Sequence, residues 1–483
     1  MAKNSKKRKT DLAAKVPLAS KKIKYDTTAQ EQENPHETPI SQGVIGGVLY
    51  EDELETTTDT LLLLAQNPSL ISLKTLKPFK TAVHEYWRVA HETTGTGNSL
   101  TSRISSALVD HRHTDALVLL SEMLIRGQVP KLGALQRWVR ECDAVLTPEM
   151  SQEEENRVWE VLNAILRTTQ PELVSRSSTS EEGVLKPGTR LWWYPPFTVE
   201  PDTVQQEPDA DADAIAASAI PLLQPLQITP GPDRRPPNKH PAVIYHSPPN
   251  TFPLSLARTR NPTRHDVPGV PSAFVINDAL EAPECDALVR AAEGVGLIPD
   301  EPIGGSGSVL AHNLIWLADE VFIEGLYNRL VHLLPPSVCG GKVRGINRRF
   351  RLYRYKPGAL YRPHIDGAWP ASSSSPATPT SPASYIYDSD PTVYSRLTFL
   401  IYLNDDFDGG CTTFFLPSEA KMGTLDARGV KPRKGSVCVF PHGKASGSLL
   451  HEGSGVTRGA KYVIRTEVLY EVDKSERVDA AKD

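Results

Sequence analysis

Five short β-rich runs near the C-terminal end constrain the fold more than any other feature of the chain. They are Phe350–Tyr355, Leu397–Leu403, Cys411–Leu416, Ser436–Pro441 and Lys461–Tyr470, and turns rich in Gly, Pro and Asp separate them. Two helical segments come before them, one opening at Ala282 and running through Glu293, the other covering Asp319–Leu334. Helices first and strands later describe an α+β domain whose antiparallel strands close into a sandwich or barrel.

The chain is longer than one domain of this kind, at 483 residues. Residues 1–50 read as a disordered basic arm with clusters at Lys6-Lys7-Arg8-Lys9 and Lys21-Lys22-Ile23-Lys24. Such a pair of clusters resembles a bipartite nuclear localisation signal, so an import receptor is an expected partner and the nucleus the expected compartment, with the cytoplasm as the alternative. Residues 52–197 read as a small all-α region of unassigned role. Its helix faces show as Leu117, Leu120 and Leu124, and as Val158, Leu162 and Ile165. Within it Leu191-Trp192-Trp193-Tyr194 reads as a packing element. Residues 198–267 are rich in Pro, Asp, Ala and Gln and are expected to be linker. The β-rich domain then takes 268–472, and 473–483 is a charged tail.

Composition excludes several classes. Lys+Arg number 53 against 58 Asp+Glu, a formal net charge of −5, so the whole chain is not a polycation built for nucleic acid. Its five cysteines are irregularly spaced without a CxxC, which suits a reducing compartment better than a disulfide framework. No apolar stretch follows the basic start, which is therefore not a secretory signal, and no run of about 18 apolar residues offers a membrane span.

The chemistry is carried by His364-Ile365-Asp366. On an extended strand residues i and i+2 point to the same side, so this imidazole and carboxylate can converge on one metal ion. A third ligand must come from elsewhere; His451 is one candidate, and His442 in Phe440-Pro441-His442-Gly443 is its rival. Two histidines and one carboxylate form the facial triad of non-haem iron(II) oxygenases.

The surroundings of these residues add specificity. Tyr355-Lys356-Pro357-Gly358 leads to His364, and Leu397–Asn404 is followed by Gly409-Gly410 and Thr412-Thr413-Phe414-Phe415. Pro432-Arg433-Lys434-Gly435-Ser436 and His451-Glu452-Gly453 follow, and Lys461-Tyr462-Val463-Ile464-Arg465 opens the last strand. In this order they resemble the prolyl 4-hydroxylase-like branch of the iron(II)- and 2-oxoglutarate-dependent oxygenases, over about the last 200 residues. The resemblance implies a double-stranded β-helix (jelly roll) with supporting helices, with iron(II) on His364, Asp366 and His451. It also implies 2-oxoglutarate and O₂ as co-substrates, with L-ascorbate as an accessory. A basic residue about ten positions after the distal histidine meets the far carboxylate of 2-oxoglutarate in this family. Lys461 stands ten after His451, and Arg465 is the second choice. Tyr355 and Tyr402 match tyrosines that hydrogen-bond the same carboxylate, and Thr413 is a further candidate.

The implied reaction is oxidative decarboxylation of 2-oxoglutarate coupled to hydroxylation of a C–H bond. A protein side chain, prolyl first, is the expected substrate. Two alternatives stand: an oxidative demethylase of nucleic acid, and a nuclear scaffold that retains the oxygenase fold. The Ser- and Pro-rich insert 371–394, directly after the first two ligands, is expected to be a disordered insertion beside the site mouth, with a substrate-guiding lid as the alternative.

Overall fold

The computed structural model describes residues 44–45, 48–95, 99–146, 149–169, 183–185, 188–199, 210–256, 260–303, 311–419 and 422–472. The basic clusters and the charged tail lie outside them. The chain forms two compact units, Met1–Ile71 and Ser72–Asp483. The first contains a helix, Glu51–Gln66, which starts at a capping box where Glu53 accepts from the Tyr50 N–H at 3.2 Å. Among the described residues no helix is long and apolar enough to cross a membrane.

Besides a helix at Lys77–Gly95, the second unit contains helices α1 (Leu100–Val109), α2 (His113–Ile125), α3 (Leu132–Val145), α4 (Gln152–Arg167), α5 (Ala210–Ala219), α6 (Ala282–Val295) and α7 (Glu320–Leu330). Its strands are β1 (Leu191–Trp193), β2 (Gln224–Thr229), β3 (Ala242–His246), β4 (Thr263–Asp266), β5 (Phe274–Asn277), β6 (His312–Leu317), β7 (Gly341–Ile346) and β8 (Arg349–Tyr355). They continue as β9 (Tyr361–His364), β10 (Ser373–Ser375), β11 (Ser384–Ile386), β12 (Val393–Tyr402), β13 (Thr412–Pro417), β14 (Leu425–Val430), β15 (Val437–Pro441), β16 (Leu450–Gly453) and β17 (Lys461–Glu471). A major sheet runs β2-β3-β6-β8-β17-β12-β15-β5-β4, with β7 also on β17, and a minor sheet runs β9-β16-β13-β14-β1. These are the two layers of a double-stranded β-helix.

Strand parity decides what each layer faces. In β12 the side chains of Leu397, Phe399 and Ile401 enter a core with Leu288 of α6 and Phe322 and Leu326 of α7. In β17 Ile464, Val468 and Tyr470 do the same. The opposite parity, with Tyr402 and Val463, meets Phe414 and Leu416 of the minor sheet. The same inward parity places the polar positions Thr398, Lys461 and Arg465 in the space between the sheets.

Within the expected helical region 52–197, helices α1–α4 are not separate from the β-rich domain. Leu135, Trp138 and Val139 of α3 and Trp159, Leu162 and Ile165 of α4 share one core with Ile365, Phe415, Leu425, Ala427 and Leu450 of the minor sheet. Asn163 Nδ2 donates to Thr424 O at 2.7 Å and Arg167 to Ser418 O at 2.8 Å. The physical reason is visible in β13, where all of Thr412–Pro417 is buried. A strand covered on both faces needs a second layer, and α1–α4 supply it. β1 joins the same layer by pairing in parallel with β14, Leu191 opposite Leu425.

Residues 210–256 of the expected linker are also structured. β2 and β3 form an antiparallel pair, and β3 runs parallel to β6 with Ile244 opposite Ile315. Ala216 and Ala219 of α5 lie in the core with α6. A polar, proline-bearing stretch can do this at a sheet edge, where the backbone ladder rather than apolar area holds the strand. The insert 371–394 is likewise a hairpin, not a disordered loop. Ser373–Ser375 pairs with Ser384–Ile386, and Tyr385 packs on Ile244, Ile315 and Leu317.

Candidate metal centre

β9 and β16 are neighbours in the minor sheet, and their register sets His364 opposite His451. Asp366 lies just beyond the end of β9. His364 Nε2 is 3.5 Å from Asp366 Oδ1 and His451 Nε2 is 3.7 Å from Oδ2. Among the described residues this is the group whose donor atoms can meet one metal ion, all lying within 4.8 Å of one another.

The hydrogen bonds fix the tautomers. His364 Nδ1 is 2.8 Å from Arg362 O, and His451 Nδ1 is 3.0 Å from Leu449 O. A carbonyl oxygen can only accept, so each Nδ1 carries the proton and each Nε2 presents a lone pair. Burial, then His364 beside it, pushes the His451 imidazole down to about 3, so it is neutral. Burial alone would raise the Asp366 carboxyl. Arg465 outweighs that, with His364 and His451, and holds it well below the usual carboxylate range. Two imidazole nitrogens and an ionised oxygen donor, each held from behind, suit a divalent first-row metal. Tyr361 stacks on His364 with ring centroids 3.8 Å apart, and Phe440 meets His451 edge-on at 4.6 Å.

The helical layer grips the strand that carries the motif. Gln136 Nε2 donates to Ile365 O at 3.1 Å. Arg362 pairs with Asp143 through Nε at 2.9 Å and donates to Asp143 O at 2.7 Å. β9 is the edge of its sheet, and α3 covers that edge.

Lys461 and Arg465 share the inner face of β17 but have different partners. Lys461 is 4% exposed, and its ammonium donates to Gly410 O at 2.7 Å. Its nitrogen is 5.8 Å from the ring centre of Tyr355 and 5.5 Å from that of Tyr402. No carboxylate pairs with it among the described residues, and burial pushes it down to about 8. Gly410, at φ +64°, approaches closely: a Cβ there would lie 2.7 Å from Phe407 and 3.2 Å from Lys461 Cδ. Arg465, by contrast, is already engaged, with Nη2 at 2.9 Å from Asp366 Oδ1.

The cavity running from the metal-ligand triad to Lys461 thus holds His364, Asp366, His451, Lys461, Arg465 and Tyr355 on its wall. Tyr402 reaches Thr412 Oγ1 through its hydroxyl at 2.7 Å. Thr413 is not part of this wall, since its hydroxyl pairs with Ser454 at 2.8 Å. The neighbouring Thr412 lines the cavity instead, with Tyr353 and Tyr361. Parity could have found them: Tyr353 lies two before Tyr355, and Thr412 two before the inward Phe414. His442 is not among the converging donors and lies behind Asp366.

Residues 350–466 match the family model of the 2OG-Fe(II) oxygenase superfamily. The chain is similar to a viral collagen prolyl hydroxylase of Paramecium bursaria Chlorella virus-1, with 21% identity, 42% of this chain and 97% of that one covered, and a TM-score of 0.27. It is similar to a prolyl hydroxylase of Trichoplax adhaerens in complex with a hypoxia inducible factor peptide, with 17% identity, coverage of 43% and 86%, and a TM-score of 0.30. It is also similar to a Pseudomonas putida prolyl-4-hydroxylase, with 18% identity, coverage of 41% and 91%, and a TM-score of 0.25. The curated proteins give no match. Residues 350–466 of this chain thus match the 2OG-Fe(II) oxygenase superfamily over the same segment that carries the converging donors, a match that supports a dioxygenase working with iron(II), 2-oxoglutarate and O₂.

Proposed function

We propose that this dioxygenase hydroxylates a protein side chain, prolyl first, with iron(II) on His364, Asp366 and His451. The observation that carries the site assignment is the buried Lys461 ammonium without a carboxylate partner among the described residues. A buried cation costs free energy unless an anion meets it, and the far carboxylate of 2-oxoglutarate is such an anion. Tyr355 and Tyr402 flank it and order that end of the cavity. Arg465 keeps Asp366 ionised instead of taking the co-substrate. When bound, iron(II) supplies the redox chemistry that couples decarboxylation to C–H hydroxylation. The chain holds the ligands, excludes water with Tyr361 and Phe440, and keeps each imidazole proton on Nδ1.

A protein substrate is favoured by the prolyl 4-hydroxylase-like order of motifs and by the wall beyond the triad. Arg349 and Arg351 of β8 lie with guanidinium carbons 4.7 and 5.1 Å from the Trp369 ring centre, and Tyr387 meets that indole at 5.8 Å. A wall of guanidinium, indole and phenol groups suits an extended peptide. The terminal basic clusters would bring the enzyme to the nucleus by way of an import receptor. Mass spectrometry of proteins that co-purify with the full chain, before and after incubation with iron(II), 2-oxoglutarate and O₂, tests the substrate. One added oxygen on a prolyl residue, absent with Asp366→Ala, is the expected result. Oxidation confined to methylated nucleic acid would replace this reading with the demethylase.

A further inference from the structure

Behind the triad is a buried file of hydrogen bonds that metal ligation does not itself require. Thr398 Oγ1 lies 2.7 Å from Asp366 Oδ2 and 2.7 Å from His442 Nδ1. His442 Nε2 lies 2.7 Å from Ser395 Oγ, and the Trp369 N–H donates to that oxygen at 2.7 Å. His442 is 4% exposed, and Thr398 and Ser395 are fully buried.

The direction of each proton follows from its neighbours. Asp366 faces the Arg465 guanidinium, so its Oδ2 can only accept, and Thr398 donates to it. The Thr398 oxygen is then free to accept, and His442 Nδ1–H fills that place. His442 Nε2 is left as the acceptor for Ser395 O–H, whose oxygen takes the Trp369 N–H. Every group is satisfied in this order. The reverse order would leave Asp366 Oδ2 without this donor and the Ser395 hydroxyl proton without an acceptor among the described residues. Burial pushes the His442 imidazole down to about 3, which agrees with the single proton this order needs.

We infer that His442 is a positioning residue for the metal: acting through Thr398, it sets the proton and the rotamer that hold the Asp366 carboxylate in its ligating orientation. The inference rests on the proposed role of Asp366 as a ligand. Arg465 holds one carboxylate oxygen and Thr398 the other, so the plane of the group is pinned between them. Without the His442 N–H, the Thr398 hydroxyl is free to turn away, and Asp366 is held on the Arg465 side alone. Ser395 and Trp369 tie the far end of the file to the root of the 373–386 hairpin.

The test is Mn(II) binding by calorimetry to the full chain, with melting temperature measured alongside. Outer partners of metal ligands characteristically change metal affinity by about 10- to 100-fold. That loss is expected for His442→Leu and Thr398→Val. His442→Asn, whose amide can donate where Nδ1–H did, and Thr398→Ser are expected to recover most of it, while each pair melts alike. The apparent 2-oxoglutarate requirement, set at Lys461, should stay within about twofold in the variants that bind metal. Wild-type affinity in His442→Leu overturns the inference, as does an equal loss in the Leu and Asn variants. If His442→Leu does not fold, the Thr398→Val and Thr398→Ser pair decides by the same criterion. Mn(II) binding that is unaffected by His364→Ala would overturn the metal site itself, and this inference with it.

Discussion

Lys461 shows how one side chain divides the work of the cavity. Losing its charge-assisted contact should cost about 1.5–3 kcal/mol, or about ten- to hundredfold in the 2-oxoglutarate requirement. Lys461→Ala should therefore raise the co-substrate concentration needed for half-maximal succinate release and leave metal affinity near wild type. Arg465→Ala should do the opposite, since its partner is Asp366. A pH dependence follows from the ammonium that burial pushes down to about 8. The charged form pairs with the dicarboxylate and predominates below that value. Affinity for 2-oxoglutarate should thus be level near neutrality and fall as pH rises through about 8. Lys461→Arg, which stays charged, should flatten that fall if it still binds; a wild-type affinity constant from pH 7 to 9 would contradict it. That His364, Asp366, His451, Lys461 and Tyr355 would line one cavity, with Tyr402 beside Lys461, was legible in the sequence because each sits in a local motif on or next to a strand of clear parity. Thr413 was misread by one position, because two adjacent threonines look alike until the inward Phe414 fixes which face is which. The part played by His442 was not legible, because it depends on Thr398 and Ser395 of another strand.

At the scale of elements, α3 and β9 act as a pair. The helix holds the motif strand at the edge of the minor sheet by Gln136 on Ile365 O and by Asp143 on Arg362. Breaking one side of a largely buried ion pair leaves the other charge unmatched. Asp143→Ala should lower stability by about 1–3 kcal/mol and weaken metal binding as well, whereas Phe415→Ala, beneath Trp159 at 5.5 Å, should cost about 3–5 kcal/mol. Urea unfolding of the two variants measures both. A fall in stability with unchanged metal affinity in Asp143→Ala would mean that the clamp supports the sheet but not the site. The helices themselves were legible from their 3.6-residue periodicity. Their partner was not, since an amphipathic face states that something covers it without stating what. Only the unbroken burial of β13 says that its sheet needs a second layer.

For the whole molecule, the boundary legible in composition is not the boundary of packing. The change in texture at Pro268 marks where apolar β-runs begin, yet β2, β3, α5 and the helices α1–α4 all contribute to the same cores. A chain beginning at Pro268 would expose Ile365, Phe415, Leu425 and Leu450 together, a patch of the kind that drives aggregation. It should be insoluble, and a soluble, monomeric and active product would show that α1–α4 are dispensable. The overall fold class was readable because strand order and turn chemistry are local, whereas the edge strands of residues 224–246 are held by backbone pairing that composition does not reveal. The central claim is that the three converging donors make this chain an iron(II)- and 2-oxoglutarate-dependent oxygenase. It is tested most directly by succinate release from 2-oxoglutarate under air, with iron(II), by the full chain and by soluble His451→Ala and His442→Ala variants. The account predicts turnover in the wild type, none above background in His451→Ala, and reduced turnover that excess iron(II) restores in His442→Ala. Full turnover in His451→Ala together with none in His442→Ala at any iron(II) concentration would contradict it.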